Sequence, residues 1–265
     1  VARVIFPLHY TPRTPIRVKT AYRSDDIHKW EATIMIKRIA AIAVSALLLG
    51  STPLVAGDVA TFVNLGFSED SRTFMFAQYG IEDETSTPFA EIYTVDVPNN
   101  RFVEDGTLSE RYDVALSPGQ DGSGALYNLL PAAEPLVDRY ELNHLRQGRL
   151  VYLLVNGQEP KSKISFRDFR SGNRYEVRLT QEERGGGESV RAAFHIRLTV
   201  IREGGEEEEY TLGLPDYFRD GINRYQIRQI LHAPNERGIV FVVEKITETG
   251  DGREVRFMVE TVTFR

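Results

Sequence analysis

The chain has 265 residues with 42% hydrophobic and 26% charged side chains and a net charge of −6, the composition of an ordinary globular protein. It contains no cysteine, which excludes disulfide staples, thiolate catalysis and Cys-ligated metals.

The N-terminal region reads as targeting sequence. Met35-Ile36-Lys37-Arg38 precede an apolar run from Ile39 to Gly50, then Ser51-Thr52-Pro53 and Leu54-Val55-Ala56-Gly57. A basic start, a short apolar run and small residues in that order predict a signal peptide over 35–56, cleaved after Ala56 or Gly57. The run is shorter than the roughly 20 residues a membrane-spanning helix needs, so no stable membrane anchor is expected after cleavage. Residues 1–34, with Pro7, Pro12 and Pro15 and no clear period, are expected to be a non-native extension ahead of a start at Met35. Leaving out the Lys, Arg, Asp and Glu of both segments leaves 24 basic and 35 acidic residues, a net of −11. That balance disfavours nucleic acid, whose phosphates need clustered Lys and Arg. The predicted location is periplasmic or secreted.

Residues 57–265 read as one mainly-β domain, built of antiparallel propeller-like blades or meander sheets with a short helical insertion. A first blade-like segment spans 59–104. Asp58–Leu65 predicts a strand, Ser68–Arg72 a turn rich in side chains that bond nearby backbone. Thr73–Tyr79 alternates, as does Ala90–Val97, each a strand signature. Gly80–Pro88 between them reads as a long polar loop, and Arg101–Val103 as a short outer strand. The stretch 109–149 changes pattern: Leu126, Leu129, Leu130, Leu136 and Val137 have helical spacing. Pro131 and Pro135 are expected to break or kink that helix into one or two short pieces.

Strands resume over 150–214. Leu150–Val155 is apolar throughout and predicts a buried strand before the Asn156-Gly157 turn. Lys163–Leu214 alternates apolar and charged residues through turns at Ser171–Asn173, Gly185–Gly187 and Gly204–Gly205, the pattern of a meander with one wet face. The last blade-like segment, 222–265, repeats the opening plan. A shift of 165 places Arg72 on Arg237, Phe76 on Phe241 and Ile92 on Phe257.

Phe67-Ser68-Glu69-Asp70-Ser71-Arg72, followed by Phe74, Phe76 and Glu91-Ile92-Tyr93-Thr94-Val95-Asp96, resemble the repeat of TolB-type, WD40-like periplasmic β-propellers. Glu69 stands where that repeat usually has Pro, and Ser71 where it has Gly. The resemblance implies four-stranded blades. The chain after the signal also resembles a family of uncharacterised predicted secreted bacterial proteins, from which no activity or site carries over.

No catalytic set is legible. Ser123 lies in Gly122-Ser123-Gly124, which lacks the flanking pattern of a hydrolase nucleophile. Gly185–Gly187 lacks the Lys of a phosphate loop. His144, His195 and His232 lie far apart and are read as partly exposed, with no metal or other cofactor expected. Glu206–Glu209 reads as a charged strand edge. The candidate ligand-binding residues are Tyr79, Glu82, Asp83, Glu84 and Phe89, in and beside the 80–88 loop, since loops on a rigid sheet often carry binding. The expected function is a non-enzymatic exported binding or scaffold protein whose partner is an envelope protein or peptide. The alternative is an envelope hydrolase using paired carboxylates, with glycan as substrate.

Overall fold

A computed structural model describes residues 58–264 except 83, 84, 115, 118 and 251. The predicted extension and signal peptide lie outside the described residues. Residues 55–265 form one compact unit.

Thirteen strands, one α-helix and a single 3-10 turn at Gly187–Ser189 are found among the described residues. The first sheet holds β1 (Thr61–Ser68), β2 (Thr73–Glu82), β3 (Thr87–Asp96), β4 (Arg101–Arg111) and the two-residue β5 (Leu142–Asn143), in the order β4-β3-β2-β1-β5. The helix α1 (Ser123–Arg139) leads into β5. The middle sheet is β13 (Gly252–Thr263), β12 (Gly238–Thr249), β11 (Arg224–His232) and β6 (Arg149–Leu153). The third is β10 (Glu207–Asp220), β9 (Arg191–Ile201), β8 (Arg174–Arg184) and β7 (Lys163–Arg167). All pairings between strands are antiparallel.

Alternation along β12 explains the layering. Ile239, Phe241 and Val243 join the core shared with the third sheet, among Phe194, Ile196 and Leu198. Val240, Val242 and Ile246 join the core shared with the first sheet, among Phe67, Phe74 and Phe76. Successive side chains point to opposite faces, so an unbroken apolar run is what a strand buried on both faces requires. The first sheet in turn buries Met75, Ala77 and Ile92 under Leu126, Leu129 and Leu136 of α1. The order of layers is helix, first sheet, middle sheet, third sheet. The chain is mainly β as expected, and the described residues form stacked sheets rather than a closed propeller.

The two end segments do match in local geometry. Arg72 N–H donates to Asp70 Oδ1 at 2.9 Å, and Arg237 N–H to Asn235 Oδ1 at 3.0 Å. Ser71 and Glu236 sit at the same place in each turn, with left-handed φ of 61° and 58°. Asn235 Nδ2 even donates to the Asp70 carbonyl, its counterpart 165 residues away, at 3.2 Å. The 165 shift fails beyond β12. Tyr93 faces Phe76 where Glu260 faces Phe241, because the second hairpin is longer by two residues; Ile92 and Phe257 are not equivalent.

Four local expectations need correction. Strand pairing continues through Gly80↔Phe89, Ile81↔Pro88 and Glu82↔Thr87, so the 80–88 loop shrinks to the tip of a hairpin. Gly80 permits this, since a Cβ there would meet the Phe89 ring at 2.9 Å. The outer strand β4 runs to Arg111 rather than ending at Val103. α1 passes through both prolines as one 17-residue helix; both lie on its exposed side, where water can serve the carbonyls that lose their N–H partners. Leu150–Val155 is not a buried strand: β6 is a sheet edge, with Leu150, Leu153 and Val155 48%, 40% and 51% exposed.

Because Phe241 is fully buried in the twice-covered strand, Phe241→Ala should cost about 3–5 kcal/mol in urea unfolding. Tyr127→Ala, on the exposed side of α1, should stay within about 0.5 kcal/mol.

Candidate functional site

The residues singled out at the 80–88 hairpin do not converge. Tyr79 packs toward the α1 side of the first sheet, whereas Phe89 is 1% exposed in the core facing the middle sheet. The Arg256 guanidinium lies 4.3 Å from the Phe89 ring centroid. Glu82 accepts a hydrogen bond from Arg111 Nε at 2.6 Å. Asp83 and Glu84 lie outside the described residues.

A different group of side chains meets at the other end of these strands. Asp168 follows β7 and opens the turn to β8. Its carboxylate accepts from the Arg170 N–H at 3.1 Å and from Ser171 Oγ at 3.0 Å. Short side chains that bond their own turn are why Asp, Ser and Gly recur there. Gly172 takes the left-handed φ of 73° that closes it. Arg149, the first residue of β6, crosses from the middle sheet and donates Nη2–H to Asp168 Oδ2 at 2.9 Å. The same Nη2 lies 3.4 Å from Glu236 Oε1, which also accepts from Arg170 Nη1 at 2.8 Å. Two carboxylates thus share two guanidinium groups across two sheets.

Beside this network stands His232, the last residue of β11, paired with Arg149 on one side and Ile239 on the other. It is 1% exposed, unlike the partly exposed histidine expected, because it continues the inward-facing series of Ile230. Tyr175 and Phe264 meet its ring edge-on, with centroids at 5.2 and 6.2 Å. Among the described residues, neither Nδ1 nor Nε2 has a hydrogen-bond partner. His144, by contrast, is exposed and bonds the Leu65 carbonyl through Nδ1 at 2.6 Å. His232 borders a cleft of about 400 Å³ whose walls include Asp168, Asn173, Tyr175, Arg237 and Phe264. Arg237 is exposed, and no ion pair to it is found among the described residues.

Electrostatics sorts these groups. Burial pushes the Asp168 carboxyl up, but the hydrogen bonds from Arg149, Arg170 and Ser171 outweigh it and hold it at about 2. Burial pushes the His232 imidazole down, and the Arg149 charge adds to that against the pull of Asp168 and Glu236. The ring is therefore neutral near pH 7, with one N–H donor and one bare nitrogen acceptor. No group of three or more metal-ligating side chains is found among the described residues.

A family model described as "Predicted secreted protein (DUF2259)" matches residues 75–263. The chain belongs to this secreted protein family. Of the residues named above for the cleft, that span contains all but Phe264, one position beyond its end, so the site lies almost wholly within the matched region. Among curated proteins no significant match is found.

The sequence marks none of the cleft residues as a binding or catalytic residue. The Ser171–Asn173 turn was legible, and His232 follows an apolar strand in the phase of Ile230, which is the one signal that could have marked it as buried. The Arg149 bridge joins residues 19 and 87 positions away and has no local signature.

Two outcomes follow from the ionisation states. Asp168 has its pKa lowered by folding, so its contribution is complete above about pH 4 and lost as pH falls toward 2; it amounts to about 2 kcal/mol. Urea unfolding of Asp168→Asn should lack that acid-side loss. His232 also has its pKa lowered, so below about pH 6.5 the unfolded chain binds a proton that the folded one refuses, and stability falls. His232→Leu should remove that fall and, at pH 7, be neutral or stabilising by up to about 1 kcal/mol, since it deletes an unpartnered buried polar ring.

Proposed function

We propose that this secreted protein is a non-enzymatic binding or scaffold protein of the cell envelope, acting through protein or peptide contacts, and that the cleft bordered by His232 is where contact is made. One observation carries the reading. His232 is buried between two sheets, with neither ring nitrogen partnered among the described residues, so its hydrogen bonds come from what enters the cleft, water when free and a partner when bound. Buried polar groups are normally satisfied internally. One that is not tends to be kept for function at a cost in stability.

The neighbouring charges suit recognition better than catalysis. Asp168 is held at about 2, far below the range in which it could give a proton to a leaving group near neutrality. Glu236 shares one oxygen between Arg149 and Arg170. A glycosidase using paired carboxylates needs one of the two with a raised pKa, so the hydrolase alternative finds little support at this pair. Arg237 at the rim adds an exposed cation, and Tyr175 and Phe264 add apolar walls, a combination that accommodates a peptide. Glu82, Asp83 and Glu84, with Tyr79, are a second candidate contact region, to which Phe89, buried in the core, offers no surface. We read the two equivalent terminal hairpins as blades of the propeller type.

Photo-crosslinking tests the reading. A photoreactive residue at Arg237 should give a discrete adduct in envelope preparations, while the same residue at exposed Glu182 on β8 should not. Identical patterns at both positions, or no adduct at Arg237, would contradict it. Turnover of envelope glycan by the purified protein, lost in Asp168→Asn, would favour the hydrolase instead.

A further inference from the structure

Three open sheets have six edges, and five are protected by recognisable devices. β4 carries Arg101, Glu104, Asp105, Glu110 and Arg111 and a register shift. β5 has two residues. β7 carries Lys163 and Arg167 on five residues. β10 has Glu207–Glu209, Pro215 and a register shift after Leu214. β13 is partly covered, since Ala60 N–H donates to the Val255 carbonyl at 3.0 Å and Val255 N–H to that of Asp58 at 2.8 Å. Charge, brevity, proline, bulges and cover are the usual ways of preventing strand edges from pairing.

β6 is the exception. It borders the middle sheet and, among the described residues, pairs with β11 alone. It is as short as β7 and has a bulge near Val151, yet after Arg149 neither the strand nor the two residues that follow it, to Val155, carry a charge. Leu150, Leu153 and Val155 are 48%, 40% and 51% exposed. Phe169, 91% exposed, follows the Asp168 that Arg149 at the head of β6 holds.

We propose that the free edge of β6 pairs with β6 of a second copy of this chain, antiparallel about a two-fold axis, joining two middle sheets into one. A two-fold interface must be complementary to itself, and like charges directly opposite destabilise a strand pair. β6 meets both conditions. With the axis at Val151, Tyr152 or Leu153, the one charge of the strand, Arg149, faces Leu153, Val155 or Gly157 of the other copy, never its own counterpart. The acidic edge at Glu207–Glu209 could not pair with itself in this way. An edge of five residues falls below the roughly 1,200 Å² of a stable interface, so the dimer is weak and reversible, with a dissociation constant on the order of 10–100 μM, in the low-affinity range. The association is separate from cleft binding and stands or falls without it.

Sedimentation equilibrium from ~5 to ~500 μM brackets that range. The wild-type chain should pass from monomer to dimer. Leu153→Lys and Leu150→Lys, at exposed positions that leave the core intact, should weaken dimerisation at least about tenfold, with unchanged circular dichroism and melting temperature. Tyr127→Lys, which removes another exposed apolar residue from α1, should dimerise like wild type. A wild-type chain that stays monomeric, a dimer that persists in both β6 variants, or a dimer lost equally in Tyr127→Lys overturns the proposal.

Discussion

The structure depends on one strand pair that has no wet side. β11 and β12 supply apolar residues to both faces of the middle sheet: Ile230, Phe241 and Val243 to one core, Leu231, Val240 and Val242 to the other. Each fully buried aliphatic or aromatic side chain is worth about 1.5–3 kcal/mol, so the unbroken apolar run Ile239–Val243 of β12 concentrates stability there. The first and third sheets can each afford a solvated or helix-covered outer face because the middle one is covered twice. With no cysteine in the chain, this packing stands in for the disulfides that many exported domains use.

The same constraint fixes where a site can form. β11 leaves the interior at His232, and the turn that follows is held by Asn235 and by the left-handed Glu236. The third sheet lies over this end, so its β7–β8 turn brings Asp168 to Arg149 of the middle sheet. Phe264, whose N–H donates to the Arg237 carbonyl at 2.7 Å, closes one wall of the cleft. The polar network is therefore a seam between two layers. His232 sits where the apolar core ends and charge begins, which keeps its ring neutral while its nitrogens lack partners among the described residues.

Much of the fold was legible because β patterning is local. Alternation in 174–201 gave β8 and β9, and the Ser68–Arg72 turn with the shift of 165 that places Arg72 on Arg237 gave two equivalent turns. What misled was composition read without its tertiary setting. Gly80, Ile81, Glu82 and Pro88 look like a loop, yet Gly80 lets Phe89 pack and the ladder continue. Pro131 and Pro135 look like helix breakers, yet they lie on the exposed side of α1. Leu150–Val155 looks buried, yet it is an edge. Apolar content reports that a segment avoids water on average, and does not say whether sheet or a neighbour covers it. The cleft was the least legible part, because Arg149, Asp168, His232 and Glu236 meet only through the stacking of two sheets.

Native-state hydrogen exchange tests the two-faced middle sheet most directly. The amides of Val240–Val243 should be the slowest in the protein and open only with global unfolding, while those of β2 and β9 should open at equal or lower free energy. Amides in β9 or β2 that are more protected than those of β12 would contradict it, because an outer sheet would then be stable without the layer that is supposed to hold it.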